Sequence, residues 1–173
     1  MANGDASCPF PPSTLDGVPT MLIQTAIEGA SLFSGLPRED GATFRALVAF
    51  AAANRSAVLA GLPWITAEIA GNEGFETMFH VVRTRGGQRL YVSPDLARFA
   101  LTLGVPVGAV THRRVIASAG ASSVVDMPSA WGVFLALRRV GIDLALSEGT
   151  PRAAVAQAFG VTTRSLRKPG PPR

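Results

Sequence analysis

The side chains with the most chemistry to offer crowd one end of the chain: Thr162, Thr163, Arg164 and Ser165, then Arg167 and Lys168. A guanidinium fork can donate two parallel hydrogen bonds to the major-groove edge of a guanine. A second arginine and a lysine suit phosphate, and hydroxyls bond to either. That is recognition chemistry aimed at a polyanion. Bond-breaking chemistry has no comparable cluster. There is no Gly-x-Ser-x-Gly elbow, no Gly-x4-Gly-Lys-Ser/Thr loop and no His-Glu-x-x-His helix. His80 and His112 lie far apart in sequence and read as partly buried or surface histidines. Cys8 is the single cysteine, which excludes an internal disulfide and a Cys-cluster metal site. Trp64 and Trp131 read as core anchors. No catalytic residue, metal or cofactor is expected, and the chain is expected not to be an enzyme.

Three elements must hold those side chains in place. Ser129 to Glu148 reads as one long helix, with Val133, Leu137, Val140, Leu144 and Ala145 on one face. Gly149-Thr150-Pro151 closes it, and Arg152 to Phe159 makes a short second helix. Gly160-Val161-Thr162 is a turn, and Thr163 to Lys168 a third helix stopped by Pro169. Each position has a physical reason. Ala156 is small where two helices cross. Gly160 supplies the positive φ a three-residue turn needs. Val155, Phe159, Val161 and Leu166 plug the angle between the helices, and Thr162 can cap the third. This spacing resembles a helix-turn-helix DNA-binding motif, whose second helix enters the major groove. Arg164 would then meet a base edge, and Arg167 and Lys168 phosphate. One departure stands out: Pro169 occupies a position where the pattern usually has a core apolar residue, so the recognition helix is short.

Charge supports an anionic partner. Residues 1–80 carry three basic and eight acidic side chains; residues 81–173 carry thirteen and four, so the halves differ from −5 to +9 within a net +4. Fifteen of the sixteen basic residues are Arg, which codon bias explains; the crowding of acids into the first half it does not. Apolar residues make up 47% of the chain, too many for a disordered one. No uncharged apolar run reaches the roughly 18 residues of a membrane span. The first residues show neither a basic nor an apolar segment of a signal peptide, so a cytoplasmic location is expected.

Upstream, residues 1–19 hold Pro9, Pro11, Pro12 and Pro19 and read as a flexible arm. Helical spacing begins near Thr20 and stops at Gly35-Leu36-Pro37. A second helix opens at Arg38-Glu39-Asp40, with Phe44, Leu47, Val48, Ala51, Ala52 and Val58 on its apolar face, and stops at Gly61-Leu62-Pro63. Helices follow from about Pro63 to Ala70 and Gly74 to Arg83. Gln88 to Val92 is a strand candidate. Ser93-Pro94-Asp95 restarts a helix, with Ser93 as cap and Pro94 at the first helical position, running to about Leu103. The pattern then recurs 34 residues on: Val81, Gly86 and Pro94 match Val115, Gly120 and Pro128.

A helix, then Gly86-Gly87-x-x-x-Tyr91-x-x-Pro94, then a linking helix and a helix-turn-helix is similar to the Mor transcription activators of Mu-like phages, over roughly residues 63–168. The resemblance implies duplex DNA as partner, contact with RNA polymerase, a homodimer formed through the strand segment, and help in DNA binding from the strand region, here Arg85, Gln88 and Arg89. The doubled strand unit departs from the simple family plan. Gln88–Val92 and Ser122–Asp126 could pair within one chain, or strands could be exchanged between two chains.

The expected architecture is a mostly α helical bundle with one or two short strands and a C-terminal helix-turn-helix. Its parts are an arm (1–19), N-terminal helices (20–62), a duplicated helix–strand unit (63–128), the helix-turn-helix (129–168) and a tail (169–173). The expected function is control of transcription at specific duplex DNA sites, most readily as an activator of phage or mobile-element genes. The other class that fits is a protein-interaction module whose C-terminal hairpin is only structural.

Overall fold

The computed structural model describes residues 41–166. The expected arm, the helix near Thr20, Arg167, Lys168 and the tail lie outside the described residues. The described part is mostly helical with one two-stranded antiparallel sheet, as the patterning predicts. In chain order it holds α1 (Ala42–Ala53), α2 (Arg55–Gly61), α3 (Trp64–Glu73), α4 (Phe75–Arg85), β1 (Arg89–Tyr91), α5 (Leu96–Leu103), α6 (Ala109–Ala119), β2 (Val124–Asp126), α7 (Ala130–Ser147) and α8 (Arg152–Ala158).

The apolar face expected of one helix is divided between α1 and α2. The break falls at Asn54, whose φ of −109° and ψ of 32° leave the helical region. Its Nδ2 donates to the Phe50 carbonyl at 3.0 Å, so the side chain offers the backbone a local alternative to the helix. The expected cap of α5 is also corrected. Asp95, not Ser93, is the N-cap, its Oδ1 accepting from Arg98 N at 2.8 Å. Pro94 stands one residue before the cap, and Ser93 Oγ accepts from Asp95 N at 3.1 Å. A carboxylate at the helix start also answers the positive end of the helix dipole, which a hydroxyl does less well.

The ribbon pairs Arg89 with Asp126, Leu90 with Val125 and Tyr91 with Val124, all within one chain. Strands of three residues cannot stand alone in water. Leu90 and Val125 at the centre of the register are buried, and each buried aliphatic side chain contributes about 1.5–3 kcal/mol. The other face, with Arg89, Tyr91 and Asp126, is exposed.

The elements flanking the ribbon repeat. α4 and α6 are each 11 residues long and start at Phe75 and Ala109, 34 apart. α5 and α7 start at Leu96 and Ala130, again 34 apart. Buried residues correspond at the same spacing: Val81 with Val115, Phe99 with Val133, Leu103 with Leu137. The strands start 35 apart, because the second copy inserts a 3-10 turn at Gly120–Ser122 before its strand and runs one residue shorter after it. Part of the packing is crossed: the helix before each strand lies against the helix after the other, α4 on α7 and α6 on α5, and α4 also touches α5. His112 of α6 stacks on Phe99 of α5 with centroids 5.2 Å apart, and its Nε2–H donates to the Ser93 carbonyl at 2.8 Å. α3 packs against both α4 and α6. Its last residue, Glu73, accepts from Gly108 N at 2.8 Å and from the Thr111 hydroxyl at 2.5 Å, fixing the start of α6.

The tryptophans are not core anchors. Trp64 and Trp131 are 45% and 53% exposed. Each sits within the first two residues of its helix, where the side chain leans out over the entry turn rather than into the bundle. Trp131 stacks on Phe134, one turn along α7.

Candidate nucleic-acid interface

Ser129 opens α7 by accepting from Gly132 N at 3.0 Å. α7 then runs 18 residues, about 27 Å at 1.5 Å per residue. It ends in a pair of bonds that reach back over the last turn, Gly149 N to Leu146 O at 3.2 Å and Thr150 N to Ala145 O at 3.1 Å. Pro151 follows and α8 begins.

The end of α8 repeats that device. Gly160 N donates to Gln157 O at 3.2 Å and Val161 N to Ala156 O at 2.9 Å, with Gly160 at φ 59°. This is the Schellman turn, which needs a left-handed residue just beyond the cap. The expected positive φ at Gly160 is therefore present. Of the expected core, Val155, Ala156, Phe159 and Leu166 are buried and Val161 is half-buried against them.

After the turn the chain does not enter an α-helix within the described residues. Thr163 to Leu166 form a turn, a correction to the expected third helix. The cause is local. Thr162 Oγ1 accepts from Ser165 N at 3.3 Å, the cap bond expected of Thr162, while Ser165 Oγ donates to the Thr162 carbonyl at 2.6 Å. The Thr162 cap bond favours a helix, but the turn is closed by Ser165 N donating to the Thr162 carbonyl at 3.0 Å, an i→i+3 bond tighter than the α-helical i→i+4. Thr162, Thr163, Arg164 and Ser165 are all exposed. Leu166 alone turns inward, which points the polar residues before it outward.

A residue outside the expected site locks the turn to the bundle. Arg138, midway along α7, donates from Nη2 to the Phe159 carbonyl. That carbonyl belongs to the last turn of α8 and lacks an intrahelical partner. A guanidinium there satisfies it and carries positive charge to the negative end of the helix. The sequence held a signal: Arg138 interrupts the buried stripe of Phe134, Ile142 and Ala145 with a charge. Arg152 was missed too. It is exposed at the first position of α8 and lines, with Arg139, Ser147 and Leu166, a cleft of about 680 Å³ between α7 and α8. Arg139 is tied to Asp143 at 3.2 Å.

The expected contributors from the strand region sit elsewhere. Arg85 is half-buried at the end of α4, Gln88 Nε2 reaches the Thr84 carbonyl at 3.4 Å, and Arg89 is on the ribbon. Arg89 Nε lies 2.9 Å from Asp126 Oδ1. That hydrogen bond raises the Arg89 pKa and lowers that of Asp126. β2 leads directly into the start of α7, and α8 with its glycine turn follows the end of α7. The two groups of candidate residues are thus strung at opposite ends of one helix.

Among the described residues no group of His, Cys, Asp and Glu could hold a metal ion, and no helix is long and apolar enough to cross a membrane. Comparison with protein families, curated proteins and solved structures finds no match for this chain.

Proposed function

We propose that this chain is a sequence-specific, double-stranded-DNA-binding regulator of transcription. The observation that carries the reading is the turn of α8. A left-handed Gly160, clamped to α7 through Phe159 and Arg138, presents Thr162 to Ser165 to solvent with Arg164 among them. Polar side chains carried by a clamped turn between the buried Phe159 and Leu166 are what base readout requires, because a mobile reader spends its affinity on ordering. Arg152 and the basic back half of the chain supply phosphate contacts. The resemblance to phage activators makes activation of phage or mobile-element genes, with RNA polymerase as a partner, the specific form of this proposal. No catalytic step is assigned to it.

The test is selection of bound duplexes from random DNA, followed by affinity measured against salt. About 4–6 neutralised phosphates give a log–log slope of about −4 to −5. Arg164→Ala should cost about 1–3 kcal/mol and relax one position of the selected motif. A slope near zero with no sequence enriched would sink the proposal and leave the interaction module as the reading.

A further inference from the structure

We infer that the chain reads DNA as a single asymmetric unit, with one chain per site, one major-groove contact and no inverted repeat in the site. The inference rests on the DNA-binding reading and adds the geometry of the partner.

Proteins with one helix-turn-helix per chain generally pair through a two-fold axis, and the operator repeats that axis in its sequence. Here the two-fold relation is already used up inside the chain. The ribbon is antiparallel, with Leu90 opposite Val125 at its middle, so a local dyad passes between them. It exchanges α4 with α6, equal at 11 residues. It exchanges α5 with α7, and the contacts of α4 with α7 and of α6 with α5 follow it, while the contact of α4 with α5 has no equal between α6 and α7. The inner ribbon residues Leu90 and Val125 are 6% and 4% exposed, so the inner face of the ribbon is closed within the chain, while the outer face carries the exposed Tyr91 beside the charged Arg89 and Asp126.

The dyad fails most sharply at the end of α5. α5 stops after 8 residues at Gly104, which is left-handed with φ 79°. Its counterpart α7 runs 18 residues and carries the reading turn. The half that would hold the second reading head holds a stop. A pseudo-dimer with one head can satisfy only one half-site, and nothing in its symmetry asks the DNA for a second.

The full-length chain should be tested on its selected duplex. The expected motif is non-palindromic, with one chain per duplex by native mass and hydroxyl-radical protection confined to about one helical turn. Duplicating the motif as an inverted repeat at about 10-bp spacing should raise apparent affinity by only about twofold, the statistical factor, because no second head is linked to the first. A gain of tenfold or more, or two chains on two inverted half-sites, would overturn the inference while leaving DNA binding intact. Two chains per duplex held by residues 1–40 would overturn it equally. The absence of any protected sequence would overturn the DNA reading, and this inference with it.

Discussion

Beside the start of α7 the chain turns on Gly86, and at the end of α8, against the middle of α7, on Gly160. Both looked alike in the sequence, as glycines closing a helix. Their physical demands differ. Gly86 has an ordinary φ of −57°, but a Cβ there would lie 2.2 Å from the Val82 carbonyl oxygen, 3.0 Å from Ala130 N and 3.1 Å from the Pro128 oxygen. The end of α4 and the start of α7 meet there backbone to backbone. Gly160 has open space, its nearest neighbour being Arg138 Nη2 at 3.9 Å, but sits at φ 59°. One glycine is needed because a side chain would not fit, the other because L-residues resist the dihedral. The ribbon end is therefore fixed by crowding within the core, and the proposed reading end by conformation at the surface.

The largest effect should come from adding a methyl group at the crowded end. Gly86→Ala must distort the end of α4, whose Val82 carbonyl is nearest, and press on the start of α7, at a cost on the order of 3 kcal/mol. Urea unfolding should show the midpoint falling for the whole protein, because both helices belong to the common core. If Gly86→Ala unfolds like the wild type, the close approach is not there.

At the conformational end the loss should be functional before it is global. Gly160→Val forces a β-branched residue to positive φ, a strain of about 1–3 kcal/mol. The turn should loosen and DNA binding disappear, while near-UV circular dichroism of the core is kept. Gly160→Asn should restore much of the binding, since Asn tolerates the left-handed region. Equal failure of Val and Asn would mean that space, not dihedral, limits this site, and the contrast between the two ends would collapse.

Arg138→Gln probes the clamp between them. Removing the charged hydrogen bond to Phe159 should cost about 1.5–3 kcal/mol locally. DNA affinity should fall with the salt slope unchanged, because no phosphate contact is lost. A slope reduced by about one would instead place Arg138 on the DNA.

The contrast also explains what could be read from the sequence. The reading end was legible because its constraints are local. Ala156, Gly160 and Leu166 lie within one short stretch, and spacing alone implies a turn between buried positions. The ribbon was legible as two strand candidates joined by a repeat. Its crossed packing was not, because it depends on contacts between separate helices, such as α4 on α7 and His112 of α6 on Phe99 of α5. The split at Asn54 and the cap at Asp95 escaped for another reason. Each is decided by one side-chain hydrogen bond that competes with an equally plausible neighbour. The third helix gave way to a backbone i→i+3 turn between Thr162 and Ser165.

The smallest effect, and the sharpest test of whether the ribbon end touches DNA at all, lies in Arg89 and Asp126. Both side chains are 74% exposed, so their ion pair is heavily screened and adds little to folding. Its sign is still defined. Hydrogen bonding to Arg89 lowers the Asp126 pKa in the folded state, so the contribution is present above the ordinary carboxylate pKa. It is lost as pH falls through the depressed value. Thermal unfolding of wild type and Asp126→Asn should therefore coincide more closely at acidic pH than at neutral pH. Binding separates the two roles further. Where the ribbon lies beside a phosphate, Asp126 competes with the DNA for Arg89. Asp126→Asn then releases the guanidinium and tightens binding of every sequence slightly, whereas Arg89→Ala weakens it and reduces the salt slope by about one. Opposite signs at neighbouring residues cannot come from lost stability, because both substitutions break the same pair. If neither changes DNA affinity, the ribbon faces away from the duplex, and its task is to close the core around which α7 carries the reader.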